Sequence, residues 1–211
     1  MNPNLRKTLL ITALLFRSCF SFCQQAMRPL EQLIDTKDPG WPLVLDGIKH
    51  AKNKVEVLPC DTAKAKIALY QTQVTTRSTM GAVIYLTGGI LIDDGWIRIL
   101  GSGSPRLPRS MPEWNKGKSF AEYGDRPNFH LIADDVLGGF YAINGGELGK
   151  DPGKLYYLAP DTMEWEAMDM GYTQFLIFCF SGDLATYYKD YRWKGWKEET
   201  GQKKAKTSLK I

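Results

Sequence analysis

Histidine is almost missing from this chain of 211 residues: only His50 and His130 occur. A zinc site built on several histidines is therefore excluded, and an imidazole acid–base pair has just two places to come from. Nucleophile machinery is lacking as well. There is no G-x-S-x-G elbow, no H-E-x-x-H helix and no Walker loop, because Gly149-Lys150 has neither the upstream glycine nor the following Ser or Thr. Cysteine is sparse, and beyond residue 26 only Cys60 and Cys179 remain, with no C-x-x-C to support thioredoxin-like chemistry. No apolar run reaches the roughly 20 residues that a membrane span needs. Neither sign of charge dominates: Lys+Arg 27 against Asp+Glu 23 is a net +4. Residues 1–26 contribute Arg6, Lys7 and Arg17 and no acid, so the rest of the chain stands near +1, too weak to imply a nucleic-acid partner. With 44% hydrophobic and 24% charged residues the composition is that of a globular protein.

What is present begins with an address. Met1 to Lys7 is basic, Thr8 to Phe22 is mostly apolar, and Cys23-Gln24-Gln25-Ala26 turns polar. That order is the layout of a secretory signal peptide. It predicts a signal over 1–26, export to the periplasm or beyond, and no membrane-spanning segment in the mature chain. Cys19 and Cys23 leave a lipid anchor after cleavage as a less favoured outcome, since the residues before them, Phe16-Arg17-Ser18 and Phe20-Ser21-Phe22, lack the Leu-small-small context of a lipobox. The alternative is that Met27 is the true start. A single α+β domain is expected over 27–200, with a basic tail at 201–211 too poor in apolar residues to order.

The pattern places helices first. Leu30, Leu33 and Ile34 make one stripe at helical spacing; Asp38-Pro39 opens a second helix with Trp41, Leu45 and Ile48 inward; Asp61 caps a third, with Ile67 and Tyr70 on one side. Val55 to Leu58 reads as a short strand. A three-stranded meander follows: Ala82 to Leu86, Ile90 to Ile92 and Trp96 to Leu100, separated by Gly88-Gly89 and Asp93-Asp94-Gly95. Gly101 to Asn128 is a long loop, of the kind that is functional or mobile. Phe129 to Ala133, Gly139 to Ile143 and Lys154 to Leu158 are strands. Thr173 to Phe180 is an apolar helix, and Gly182-Asp183 restarts another that carries Tyr187, Tyr188 and Tyr191. The fold class is α+β, a mainly antiparallel sheet with N-terminal and C-terminal helices packed on it.

Candidate chemistry lies in acids and arginines. Asp93-Asp94 and Asp134-Asp135 are paired carboxylates, suited to glycoside hydrolysis or, with Asn144, to calcium, though adjacent acids at strand ends are more often turn formers. Every basic residue from 67 to 115 is an arginine: Arg77, Arg98, Arg106 and Arg109. A guanidinium fork suits carboxylate or phosphate. Gly101-Ser102-Gly103-Ser104-Pro105-Arg106 follows a strand directly, a place where backbone N–H groups cradle anions. Against that stands pairing of these arginines with Asp93, Asp94 or Asp134. Cys179, within Phe175 to Phe180, reads as a buried, unpaired hydrophobe.

Several segments resemble one family. Met27-Arg28-Pro29-Leu30, Gln73 to Ser78, Gly88 to Asp93, Gly95 to Gly103, Ala133 to Phe140 and Tyr157 to Asp161 look like the domain of unknown function family 2625, from about Met27 to Trp196. That family has no established activity, so the resemblance implies no catalytic residues. The strand and glycine-turn order of 129–180 also resembles the SUKH superfamily, which implies an immunity or interaction protein; export fits poorly with immunity proteins that meet their toxin in the cytoplasm. The expectation is an exported, non-enzymatic domain binding a protein or small anionic ligand through Arg77, Arg98, Arg106, Arg109, Asp134, Asp135 and Asn144, without cofactor or metal. The alternative is a periplasmic hydrolase working through its acid pairs.

Overall fold

The computed structural model describes residues 27–202. The expected signal peptide therefore lies outside the described residues, as does the tail from 203 onward. Seven strands form one sheet in chain order, β1(Val55–Val57), β2(Gly89–Ile92), β3(Ile97–Leu100), β4(Phe129–Asp135), β5(Phe140–Asn144), β6(Leu155–Leu158) and β7(Trp165–Ala167). Each pairs antiparallel with its neighbours. Helices α1(Leu30–Leu33), α2(Trp41–Lys49), α3(Thr62–Thr72) and α4(Thr79–Leu86) come mostly before the sheet; α5(Met111–Asn115) interrupts it; α6(Tyr172–Ser181), α7(Leu184–Tyr187) and α8(Trp196–Gln202) follow. The class is α+β, as the sequence pattern predicts.

One element differs in kind. Residues 82–86, expected as the first strand of a meander, belong to α4. A short run that is apolar at every position has no periodicity to separate strand from helix. The deciding signal is local: the Ser78 hydroxyl accepts the Gly81 N–H at 3.0 Å and caps the helix. Gly81 also lets this turn approach its neighbour, since a Cβ there would sit 2.1 Å from the Thr75 carbonyl oxygen. The place beside β2 is taken by β1. The β2–β3 hairpin forms as expected, with Asp93, Asp94 and Gly95 at φ 46°, 59° and 88°. The strand β7 is an addition.

Helix faces shift in detail. In α2, Val44 is buried while Leu45 is 47% exposed; in α3, Ala65, Ala68 and Leu69 pack inward and leave Ile67 and Tyr70 outside. Asp61 caps α3 as expected, accepting the Ala63 and Lys64 N–H groups.

The long loop is neither irregular nor loose. Ser102 and Gly103 donate backbone N–H bonds to the Thr87 and Gly88 carbonyls, and Leu107 and Met111 are fully buried. Ser110 and Glu113 form a capping box that starts α5. The Asn115 side chain then pairs with Leu131 like a strand, donating to its carbonyl at 2.8 Å and accepting its N–H at 2.7 Å.

The two sheet faces bury different cores. Ile97, Ile99, Ala133, Tyr141 and Leu155 share a large core with Val44, Val83, Phe175 and Phe180 of the helices. On the other face Leu131, Phe140, Ala142 and Leu158 meet Trp114, Phe129 and Trp165. At the C-terminal end Trp96 is fully buried against Tyr188, Trp193 and Trp196, with ring centroids 5.0–5.4 Å apart. Gly201, expected at the start of the tail, belongs to α8.

Candidate functional site

Successive residues of a strand point to opposite faces, so Asp134 and Asp135 at the end of β4 cannot act on one substrate together. Their partners bear this out. Asp134 stands directly across from Arg98 in β3, which donates from Nε to Oδ1 at 2.7 Å. Arg109 binds the other carboxylate oxygen from the loop side and lies over the Trp114 ring at 4.4 Å. Lys118 sits over that same ring, also at 4.4 Å. Two guanidinium groups thus share one carboxylate, with both Asp134 and Arg109 buried. Burial holds the Arg109 pKa below its ordinary value, and Asp134 offsets part of that.

A cleft of about 300 Å³ lies beside this cluster, lined by Lys64, Ser102, Gly103, Ser104, Arg109, Ser110 and Glu113. The expected anion cradle does not form in it. The N–H groups of Ser102, Gly103 and Ser104 all donate to the carbonyls of Thr87, Gly88 and Leu107. The hydroxyls are engaged too: Ser102 donates to the Thr87 carbonyl, Ser104 accepts the Leu107 N–H, and Ser110 binds Glu113. The loop is holding itself together.

The remaining predicted residues scatter. Arg77 pairs with Asp38 and Arg106 with Glu56, both on the exposed surface and apart from the Asp134 cluster. Asn144 shapes its own turn, accepting the N–H groups of Gly146 and Leu148 and donating to the Gly149 carbonyl. Asp93 is paired with Arg192, and Asp94 with Lys54. Among the described residues no group of three or more His, Cys, Asp or Glu side chains converges to hold a metal ion. Cys60 and Cys179 are both free, Cys179 buried.

Asp135 faces a different environment. Its Oδ1 accepts the Leu137 and Gly139 N–H groups at 3.0 Å; its Oδ2 accepts the hydroxyls of Tyr157 at 2.8 Å and Tyr188 at 3.2 Å. The Tyr141 hydroxyl bonds that of Tyr188 behind them. Among the described residues no guanidinium reaches this carboxylate. Burial pushes its pKa above the ordinary value, while the four donors pull the other way. Desolvation likewise raises Tyr157, Tyr187 and Tyr188, which favours the neutral phenol.

Outward from the two buried phenols opens a cavity of about 500 Å³. Tyr157 and Tyr188 form its inner wall; Tyr187 and Tyr191 are half-exposed; Asp161 and Glu166 are exposed at its edge, with Leu137, Ala159 and Pro160 completing the lining. β6 supplies Tyr157, β7 supplies Glu166, and α7 with the turn after it supplies the other three tyrosines. The tyrosine cluster was visible in the sequence, but Asp161 and Glu166 carried no signal because β7 itself was not legible.

His50 ends α2, as expected, and is exposed. His130 is buried in β4 with Nε2 unpartnered, and desolvation lowers its pKa from 6.5 to about 4, leaving it neutral. Neither histidine lies on the tyrosine cavity. No helix among the described residues is long and apolar enough to cross a membrane.

A family model described as protein of unknown function DUF2625 matches residues 30–211. The uncharacterised protein YbfG of Escherichia coli (strain K12) is 49% identical over 173 residues, covering 82% of this chain and 78% of that protein. An uncharacterised protein of Haemophilus influenzae is 44% identical over 176 residues, covering 83% and 77% respectively. No solved structure matches the chain.

Proposed function

We propose that this chain, which belongs to the DUF2625 family of unknown function, is an exported, non-enzymatic binding domain whose ligand site is the tyrosine-walled cavity between β6, β7 and α7. The observation that carries this reading is the cavity itself: about 500 Å³, walled by four tyrosines and joined through two of them to a buried carboxylate. Small-molecule sites are concave, largely apolar or aromatic, and carry a few oriented polar groups. Catalysis has less support. The phenols are held neutral, the acid pair of β4 is split between two faces, and neither histidine lines the cavity. Export is supported by the basic, apolar, polar order of residues 1–26.

Amide-resolved NMR of the full chain tests the site. Titration with small amines, carboxylates and neutral alcohols should shift the amides of Tyr157, Ala159, Asp161 and Tyr187 to Tyr191 first. Shifts gathered instead around Ser102 to Arg109 would overturn this reading in favour of the arginine cleft. Mass analysis of the protein from its native host tests export: cleavage is expected between about Ser21 and Met27, and an intact Met1 would rule it out.

A further inference from the structure

The cavity has a chemical bias that the reading above leaves open. Four tyrosines belong to its lining, and the face of an aromatic ring attracts a cation within about 6 Å of its centre. Tyr187 and Tyr188 stand nearly perpendicular, at 86° with centroids 4.8 Å apart, so the two rings touch edge to face and form one continuous aromatic wall. Two exposed carboxylates, Asp161 and Glu166, belong to the lining, and among the described residues no basic side chain does. Behind the inner wall lies Asp135, whose carboxylate has only dipoles for partners: two phenols and two backbone N–H groups.

We infer that the ligand of this cavity carries an alkylammonium group, which the tyrosine faces surround and the carboxylates of Asp161 and Glu166 attract. The inference rests on the cavity being the ligand site. An anion in the same place would meet two carboxylates and no guanidinium or ammonium group. A neutral ligand would gain contact with the rings but not the charge attraction, and that contrast is measurable. The phenols contribute as neutral rings, since burial raises the pKa of Tyr157 and Tyr188 above the ordinary value.

Calorimetric titration of the full chain at low salt, with three probes, tests the inference. Choline chloride presents a quaternary ammonium, n-butylammonium chloride a primary one like a lysine side chain, and 3,3-dimethylbutan-1-ol is the neutral carbon isostere of choline. At least one cation should bind about tenfold more tightly than the neutral alcohol. Tighter choline binding points to a methylated ammonium, tighter butylammonium binding to a primary amine. Tyr191→Ala should weaken the preferred cation several-fold without moving the melting temperature, because its side chain is half-exposed. Tyr187→Ala should weaken it as well but also lower the melting temperature, because that ring packs on Phe178 and Tyr188. Glu166→Gln should flatten the salt dependence of binding. If the alcohol binds as well as choline and is lost with Tyr191→Ala, the cavity stands as the site but the cation inference falls. Cation binding that survives both tyrosine substitutions also overturns it, as does failure of both cations to bind.

Discussion

Asp134 and Asp135 are the same residue type, adjacent in one strand and equally buried, yet opposite chemistry holds them. On the loop-covered face Asp134 is neutralised by the formal charges of Arg98 and Arg109. On the helix-covered face Asp135 is satisfied by neutral donors, two phenols and two backbone N–H groups. The ionic arrangement occupies both carboxylate oxygens of Asp134, with Arg109 over the Trp114 ring and its Nε left without a partner. The phenolic arrangement uses only hydroxyl groups, and leaves the tyrosine rings beside it free to line a cavity. A buried carboxylate can thus be scaffold on one side of a sheet while its neighbour backs a binding site on the other.

The sharpest way to break this comparison is Asp134→Ala. Removing the shared carboxylate leaves the buried Arg109 and the partly buried Arg98 without a counter-charge, and breaking such a buried pair costs about 3–5 kcal/mol. Urea unfolding at neutral pH measures it. A loss below about 1 kcal/mol would mean that the arginines reach another acid and that the cluster is not the scaffold of this face.

His130, in the same strand, is a third kind of burial: a titratable group with an orphaned Nε2. Its folded pKa is depressed, so the stability it contributes is present above the ordinary value of 6.5 and is lost as pH falls toward about 4. That window amounts to about 3 kcal/mol of acid destabilisation at 1.36 kcal/mol per unit. In His130→Phe the stability-versus-pH curve should flatten between these values; a curve parallel to the wild type would show that the imidazole is not desolvated.

Asp135→Asn should cost less, about 1–3 kcal/mol, because the amide keeps one acceptor and the hydroxyls can reorient. Its pH dependence runs opposite to that of His130. The folded carboxyl is raised above 3.8, so the folded state holds its proton more tightly, and wild-type stability falls as pH rises from 3.8 to the folded value. The penalty for the Asn variant should therefore be larger at pH 3 than at pH 7. A penalty that grows with pH would mean that the four donors outweigh burial.

Smallest of all is Arg106→Ala, which removes an exposed pair with Glu56. Its melting temperature should correspond to a change within about ±0.5 kcal/mol. A larger fall would give Arg106 the scaffold role that the structure reserves for Arg98 and Arg109.

Much of the fold was legible from local chemistry. Asp61 as a cap, Asp93-Asp94-Gly95 as a hairpin turn, and the strands around 129–133, 139–143 and 154–158 follow from donor, acceptor and φ requirements that neighbouring residues impose on each other. Residues 82–86 were not legible, because a run that is apolar at every position has no polar face to set its period. The capping-box pattern of Ser110 and Glu113 with Pro112 was readable within the long loop, yet composition alone hid it. Of the candidate site, Asp134, Arg98 and Arg109 do meet, but as a closed ionic cluster rather than an open anion site.

By itself, the amino-acid order determined turn positions, caps, strand alternation and the α+β class, since each depends on contacts a few residues apart. Only the tertiary structure decided which partner each charge found. Arg109 reaches Asp134 across 25 residues, Tyr188 reaches Asp135 across 53, and Arg192 reaches Asp93 across 99. The chain between such pairs folds through several elements, and the sign, burial and direction of every neighbour are set by that packing. Whether a carboxylate closes a face or backs a cavity is therefore a property of the assembled sheet.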